Sequence, residues 1–312
     1  MKNMKSPVLF MIFKRPETTK RVFERIREVQ PPRLYIAADG PRKDRKDEVD
    51  KCISTRKIVE NIDWPCEVFR LYREENLGCG KGVSSAISWF FEHEEQGIII
   101  EDDILPHVDF FNYCDEMLER YKDDEEIQLI AGTNYFYGGY PANVSYYLSC
   151  FMSIWGWASW RRVWETYEFD VNKLDASRIR KQLYKMLPQK CARFYMNIFH
   201  EMAEFKVDTW DFQLFLNQQY YGRHSISPFV NMVENIGFGV EGATHTNSAD
   251  LNVTAHKSNS PFPIIHPDTH FYCKKADFVA MKNNGQYEKS VIDKLRLLPY
   301  RINRKLKNVF QK

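Results

Sequence analysis

The sequence has no cysteines spaced C-x-x-C, no marked excess of either charge, no phosphate-loop signature and no linker rich in Pro, Gly and Ser. Each absence excludes something. Seven cysteines lie scattered from Cys52 to Cys273. An odd number without regular spacing argues against a disulfide framework and against structural zinc. Reduced thiols in a cytoplasmic compartment are the simpler expectation. Lys plus Arg is 44 and Asp plus Glu is 42, a net charge of +2, whereas a dedicated nucleic-acid binder is strongly basic. The apolar run Pro7–Phe13 is only seven residues long and no small-residue cleavage site follows, so it reads as a buried strand rather than a signal peptide. Val144–Trp160 is uncharged over 17 residues, but Ser149, Ser153, Gly156 and Ser159 make it a poor membrane span. Asn143-Val-Ser matches a glycosylation triplet, a pattern common by chance.

What is present is an ordinary globular chain. With 312 residues, 44% apolar and 28% charged, it is long enough to bury roughly 75% of the surface its unfolded form exposes. Whole-chain disorder is excluded. Aromatics reach 15%, which suits a carbohydrate or nucleobase binder among other things. Apolar runs at Pro7–Phe13, Leu34–Ala38, Gly97–Ile100 and Ile127–Ala131, and the partly alternating Cys66–Tyr72, read as strands. Helical patterns begin at Pro16, before Asn61, after Gly82 and near Val108. This alternation predicts an α/β fold with a mainly parallel, doubly wound sheet. In such sheets ligands bind at the carboxyl ends of the strands, where Asp39 and Glu101-Asp102-Asp103 fall.

The second half is less regular. An aromatic segment (Tyr135–Trp164) precedes helical patterns near Ala176–Leu187, Cys191–Glu204 and Trp210–Tyr221. A short strand pair is expected around Ser225–Val233, then a polar loop to about Ser260. Lys289–Lys312 carry eight Lys or Arg and one acid. This basic amphipathic pattern reads equally as a solvated terminal helix or as peripheral contact with an anionic membrane.

Three adjacent carboxylates repel one another unless a cation neutralises them. A hard divalent ion shared with phosphate oxygens suits Glu101-Asp102-Asp103; acids capping the next helix are the plainer alternative. Asp39-Gly40 is either a turn signal or an acceptor for a nucleobase N–H. Asn76-Leu-Gly-Cys-Gly-Lys-Gly82 reads as a glycine-rich loop. It lacks the spacing G-x-x-x-x-G-K-[ST], so a Walker-type NTPase is disfavoured. Asp208 or Thr209 reads as an N-cap of the helix that follows.

Phe13-Lys-Arg-Pro16, Ala37-Ala-Asp39-Gly40 and Ile100-Glu-Asp-Asp103, in that order, resemble the GT-A glycosyltransferases, nucleotide-sugar transferases with a Rossmann-like fold and a D-x-D metal motif. The continuation Pro-x-x-x-Phe-Phe is similar to the inverting N-acetylglucosaminyltransferase I family. Bacterial family-2-type sugar transferases of surface-polysaccharide clusters are the nearer resemblance. The likeness covers roughly residues 6–245. It implies a nucleotide-sugar-binding half (1–134), an acceptor-binding half (135–260) and a C-terminal extension (261–312). It implies a UDP-linked sugar donor, a glycan or lipid-linked saccharide acceptor and Mn²⁺ or Mg²⁺.

By the same resemblance, Asp103 is the metal ligand, and Arg15, Asp39, Glu101 and Asp102 surround the nucleotide. Asn76 and Lys81 lie near the donor, with His245 in a loop over the diphosphate. Trp155, Gly156, Trp157 and Trp210 line the acceptor site, and Asp211 is the catalytic base. Phe212 stands where the family has a second acid. A sugar-phosphate nucleotidyltransferase is a second expectation, although Lys14-Arg15-Pro16-Glu17 lacks the glycines of its phosphate loop. A non-catalytic carbohydrate-binding protein with a degenerate transferase fold is a third.

Overall fold

The computed structural model describes residues 4–136, 139–238 and 258–285. Strands β1 (Val8–Ile12), β2 (Arg33–Ala38), β3 (Glu67–Tyr72), β4 (Gln96–Glu101), β6 (Ile127–Ala131), β7 (Tyr146–Ser149), β8 (Trp157–Trp160) and β9 (His224–Pro228) form one sheet. Their order is β3-β2-β1-β4-β8-β6-β9-β7. All run in one direction except β8 and β7, which are antiparallel to their neighbours. Two short strands, β5 (Ile104–Pro106) and β10 (Val233–Asn235), pair separately. The expected strand pair near Ser225–Val233 is therefore two strands in two different sheets. β9 is buried throughout and belongs to the main sheet, while β10 reaches back to β5 beside the acidic triplet.

Side-chain alternation along β1 divides the core. Val8, Phe10 and Ile12 face a layer with α1 (Pro16–Val29) and α4 (Val108–Arg120). Leu9 and Met11 face a layer with α3 (Gly78–His93), α6 (Ala176–Met186), α7 (Gln189–Ala203), α8 (Asp211–Tyr221) and α9 (Lys274–Asn283). Helices α2 (Asp47–Ile58) and α5 (Arg161–Trp164) complete the set described. Local chemistry explains the boundaries. Helix α1 starts with Pro16 at its first position and Glu17 in its first turn, where a missing N–H and a negative charge are favoured. It ends at Gln30 in the left-handed region, just before Pro31-Pro32.

Residues 258–285 pack on the body rather than standing apart. Ala276, Ala280 and Met281 of α9 are buried. The buried Asp277 carboxylate accepts from the Ser149 hydroxyl and, at 3.2 Å, from the Cys150 N–H.

Gly97 on β4 is needed for packing. A Cβ there would lie 2.2 Å from Phe90 Cζ and 3.0 Å from the Pro7 carbonyl oxygen. Gly97→Ala is expected to cost about 1–3 kcal/mol through overpacking, read as a lowered urea midpoint with an unchanged slope.

Candidate active site

The strand order reverses at β1, with β2 and β3 to one side and β4 to the other. The crevice outside the carboxyl ends of β1 and β4 is where open α/β sheets bind ligands. Phe13-Lys14-Arg15 leave β1 there, Asp39 leaves β2, Arg73 leaves β3, and Glu101 ends β4. These residues line one cleft of about 310 Å³, together with Arg42, Asn76, Asp102 and Asp208.

Arg15 holds the acidic triplet together. Its Nη1 lies 3.0 Å from Asp102 Oδ1 and 2.5 Å from Asp103 Oδ2. The Phe13 N–H donates to the other Asp102 oxygen at 3.0 Å. Both Asp102 oxygens are thus engaged by the chain. Burial pulls the Arg15 pKa down, but Asp102 and Asp103 outweigh it and the net shift is upward. Burial pushes Glu101 up, Asp103 and Asp102 add to the shift, and Arg15 only partly offsets it, leaving Glu101 at about 8. Burial likewise raises Asp102 and Asp103 against the pull of Arg15. Three carboxylates therefore share one guanidinium, and the cluster is short of positive charge.

That shortage is the basis for testing a metal. Among the described residues, no three His, Cys, Asp or Glu groups converge on one ion position. Asp102 is already engaged on both oxygens. Asp103 uses one oxygen for Arg15, and the Glu101 carboxylate makes no hydrogen bond among the described residues. The donors fit a hard ion held by Asp103, with its other ligands drawn from phosphate oxygens. Strand β10 brings the chain over this point: the Ile236 N–H donates to the Asp103 carbonyl at 2.8 Å. A Cβ on Gly237 would fall 2.2 Å from Asp103 Oδ2, so only glycine lets the backbone pass. His245, expected in the same loop, lies outside the described residues.

Within the Asn76–Gly82 segment only Asn76 and Leu77 are loop, and Gly78–Gly82 is helical. Its glycines form the first turn of α3. The Asp208 carboxylate accepts from the N–H groups of Cys79 (3.0 Å) and Gly80 (2.8 Å), and Asp39 accepts from the Leu77 N–H at 3.1 Å. Two carboxylates from distant parts of the chain thus occupy the positive end of one helix. Cβ atoms on Gly78 and Gly80 would approach Asp208 to 2.6 and 2.7 Å. The glycines admit Asp208 rather than phosphate. Asp208 therefore caps α3 and not its own following helix, α8. Asn76 Nδ2 donates to Asp39 at 2.9 Å, so Asn76 orients the Asp39 carboxylate. Burial raises the Asp39 pKa, with the Leu77 N–H and Arg73 opposing. Lys81 is exposed and borders a different cavity with Tyr167 and Glu168, a correction to its expected place near the donor.

Asp211 opens α8. Its Oδ1 accepts from the Thr209 hydroxyl and from the Phe212 N–H at 2.9 Å. It lines a second cavity of about 180 Å³ with Tyr135, Trp155, Tyr195 and Phe215. Its charge acts on Glu101 and Cys79, both of which line the first cleft. Trp155 borders the second cavity. Trp157 and Trp210 do not: they are 1% and 2% exposed and stack on each other at 5.7 Å. Trp157 belongs to a central strand, so burial on both faces removes it from any ligand. Gly156 has φ +62°, and a Cβ there would lie 2.9 Å from Val233 Cγ1, so its role is close packing.

Sequence reasoning missed four residues. Arg73 was legible, because it directly follows β3 at the strand end that ligands approach. Lys14, Arg42 and Glu48 were not. Glu48 sits in a charged segment that reads as surface, yet it is fully buried and accepts from Lys14 Nζ at 2.5 Å and Arg42 Nε at 2.9 Å. Burial raises its pKa, but Arg42 and Lys14 outweigh this and lower it to about 2.

No family model matches the chain, and no curated protein does. Solved structures give distant likenesses. HddC from Yersinia pseudotuberculosis is 12% identical with a TM-score of 0.32, over 52% of this chain and 80% of that one. A UDP-glucose pyrophosphorylase complexed with UDP-glucose is 11% identical with a TM-score of 0.41, over 75% and 94%. A UTP-bound UGPase from Acinetobacter baumannii is 12% identical with a TM-score of 0.30, over 54% and 78%. The α/β assignment rests on the sheet itself.

Glu101→Gln tests the charge shortage. The folded pKa of Glu101 lies above its unfolded value of 4.5. The stability tied to its proton is complete below that unfolded value and is lost as pH rises through about 8. In EDTA the variant should unfold at higher temperature than wild type above about pH 8 and differ little near pH 4. A gain of equal size across that range would mean the carboxyl is not desolvated. Arg15→Ala should lose about 3 kcal/mol at neutral pH by leaving buried carboxylates unpaired, read by urea unfolding.

Proposed function

We propose that this chain is a metal-dependent, inverting glycosyltransferase. It moves a sugar from a UDP-linked nucleotide-diphosphate donor to a hydroxyl of a glycan or lipid-linked saccharide, on the cytoplasmic side. The observation that carries this reading is the convergence of Asp39, Arg15, Glu101 and Asp102 in one cleft at the strand-order reversal, with Asp103 paired to Arg15 at its edge and the cavity of Asp211 nearby.

The roles follow from the chemistry. Asp39, oriented by Asn76, accepts a hydrogen bond from the N–H of the base. Arg73 borders the cleft and offsets the diphosphate charge, while Arg42, also on the cleft, is held by Glu48. Asp103 would hold Mn²⁺ or Mg²⁺, which would supply charge stabilisation to the departing diphosphate. Arg15 keeps Asp102 and Asp103 ionised and in place. Asp211 takes the proton of the acceptor hydroxyl as its oxygen bonds the anomeric carbon and the bond to diphosphate breaks. One displacement with one base inverts the configuration.

The nucleotidyltransferase reading has less support. The turn after β1 lacks glycine, and both of its cations are tied to acids, Lys14 to Glu48 and Arg15 to Asp102 and Asp103.

Thermal unfolding with UDP, ATP and NAD, each with and without Mn²⁺, tests the reading. UDP with Mn²⁺ should stabilise by about 2.7 kcal/mol at 100 times its Kd, and Asp39→Asn should abolish the shift. Absence of a shift with any nucleotide would refute the donor site. Asp211→Asn should keep the UDP shift but lower transfer by roughly 10²–10⁴-fold. Unchanged transfer would favour a different base, and no transfer in either protein would favour the non-catalytic reading.

A further inference from the structure

Between Asp175 and Glu201 the chain has 25 residues without an acid and with six Lys or Arg: Arg178, Arg180, Lys181, Lys185, Lys190 and Arg193. Net charge for the whole chain is only +2, so this segment concentrates charge that is balanced elsewhere. It forms helices α6 and α7, joined at Pro188.

Packing turns the cations outward. Helix α6 buries Ile179 and Leu183 against the body, so the opposite side of the helix faces solvent. Arg180, Lys181 and Lys185 are all exposed there, as is Lys190 at the start of α7. None of these four makes an ion pair among the described residues. Arg178 is turned aside, its guanidinium 4.4 Å from the Tyr220 ring. Tyr184, 40% exposed, lies among the cations. A groove of about 200 Å³ runs between the helices, lined by Arg180, Tyr184, Arg193, Met196, Asn197 and His200.

We propose that the α6–α7 pair is a docking surface for an anionic lipid bilayer. Four surface cations without ion pairs on a helical face, with the exposed Tyr184 ring 5.9 Å from the Arg180 guanidinium, match the charge of such a membrane and the amphipathic character of its interface. The apolar side of α6 is already committed to the protein core, so the helix rests on the headgroups by its basic face and does not insert. This surface is distinct from the basic segment 289–312, which lies outside the described residues. Helix α7 also carries Tyr195, which lines the Asp211 cavity. Tyr195 is buried, so that cavity lies on the body side of α7 and not on its solvent face.

Co-sedimentation of the full chain with phosphatidylcholine vesicles, with and without phosphatidylglycerol, tests the proposal. The chain should pellet only with the anionic vesicles and be released at high salt. The triple variant Arg180→Gln, Lys181→Gln, Lys185→Gln should bind those vesicles about 100-fold more weakly. Its unfolding midpoint and UDP-induced shift should stay as in wild type, which separates loss of docking from misfolding and from failure of the donor site. The proposal is overturned if the chain does not pellet. It is equally overturned if neutralising the Lys and Arg of 289–312 abolishes pelleting while the triple variant pellets normally. Retention on heparin without vesicle binding would assign the patch to a soluble polyanion and overturn it too.

Discussion

A buried charge imbalance governs this molecule. Three carboxylates at the end of β4 are desolvated around one guanidinium from the end of β1. Buried charges are tolerated only when paired and hydrogen-bonded. Arg15 and the Phe13 N–H satisfy Asp102 fully and Asp103 in part, leaving Glu101 to gain its ease from a proton or a neighbouring cation. Such an arrangement costs stability and is poised to receive positive charge, a state in which perturbed carboxyl groups mark functional sites.

The surrounding elements hold this imbalance in place. Parallel pairing of β1 with β4 sets Met11 beside Glu101, so the turn after β1 must run along the triplet. The β5–β10 pair lays Ile236 and Gly237 over Asp103. On the other side of the cleft, the start of α3 binds two carboxylates, Asp39 and Asp208, through backbone N–H groups. Asp208 lies just before Asp211, so the helix that fixes the cleft wall also fixes the entry to the second cavity. The two cavities are thus coupled by shared structure as well as by the field of Asp211 acting on Glu101.

Much of the fold was legible in the sequence. Five of the six strands of the first half were legible as short runs bounded by Pro, Gly or charge, four of them apolar and β3 partly alternating, whereas the three-residue β5 was not; the helices between them have clear starts such as Pro16. Asp39 and Glu101–Asp103 stand directly after such strands, so their place at the carboxyl ends followed from the pattern. The second half was less legible because its pairing is not local. β8 is inserted between β4 and β6, and β7 closes the far edge, pairings set by tertiary contacts that no turn signal announces.

Residue types and their order along the chain determined the α/β class, the strand ends and the acidic triplet, because these depend on local periodicity and on short-range turn chemistry. Tertiary structure alone decided which charges meet. It sent Asp208 to cap a helix 128 residues away, buried Glu48 between two cations, turned Lys81 away from the cleft, and stacked Trp157 on Trp210 inside the core. Periodicity shows which residues share a face of one element. Only the packing of elements decides whether that face meets a ligand, another charge or the interior.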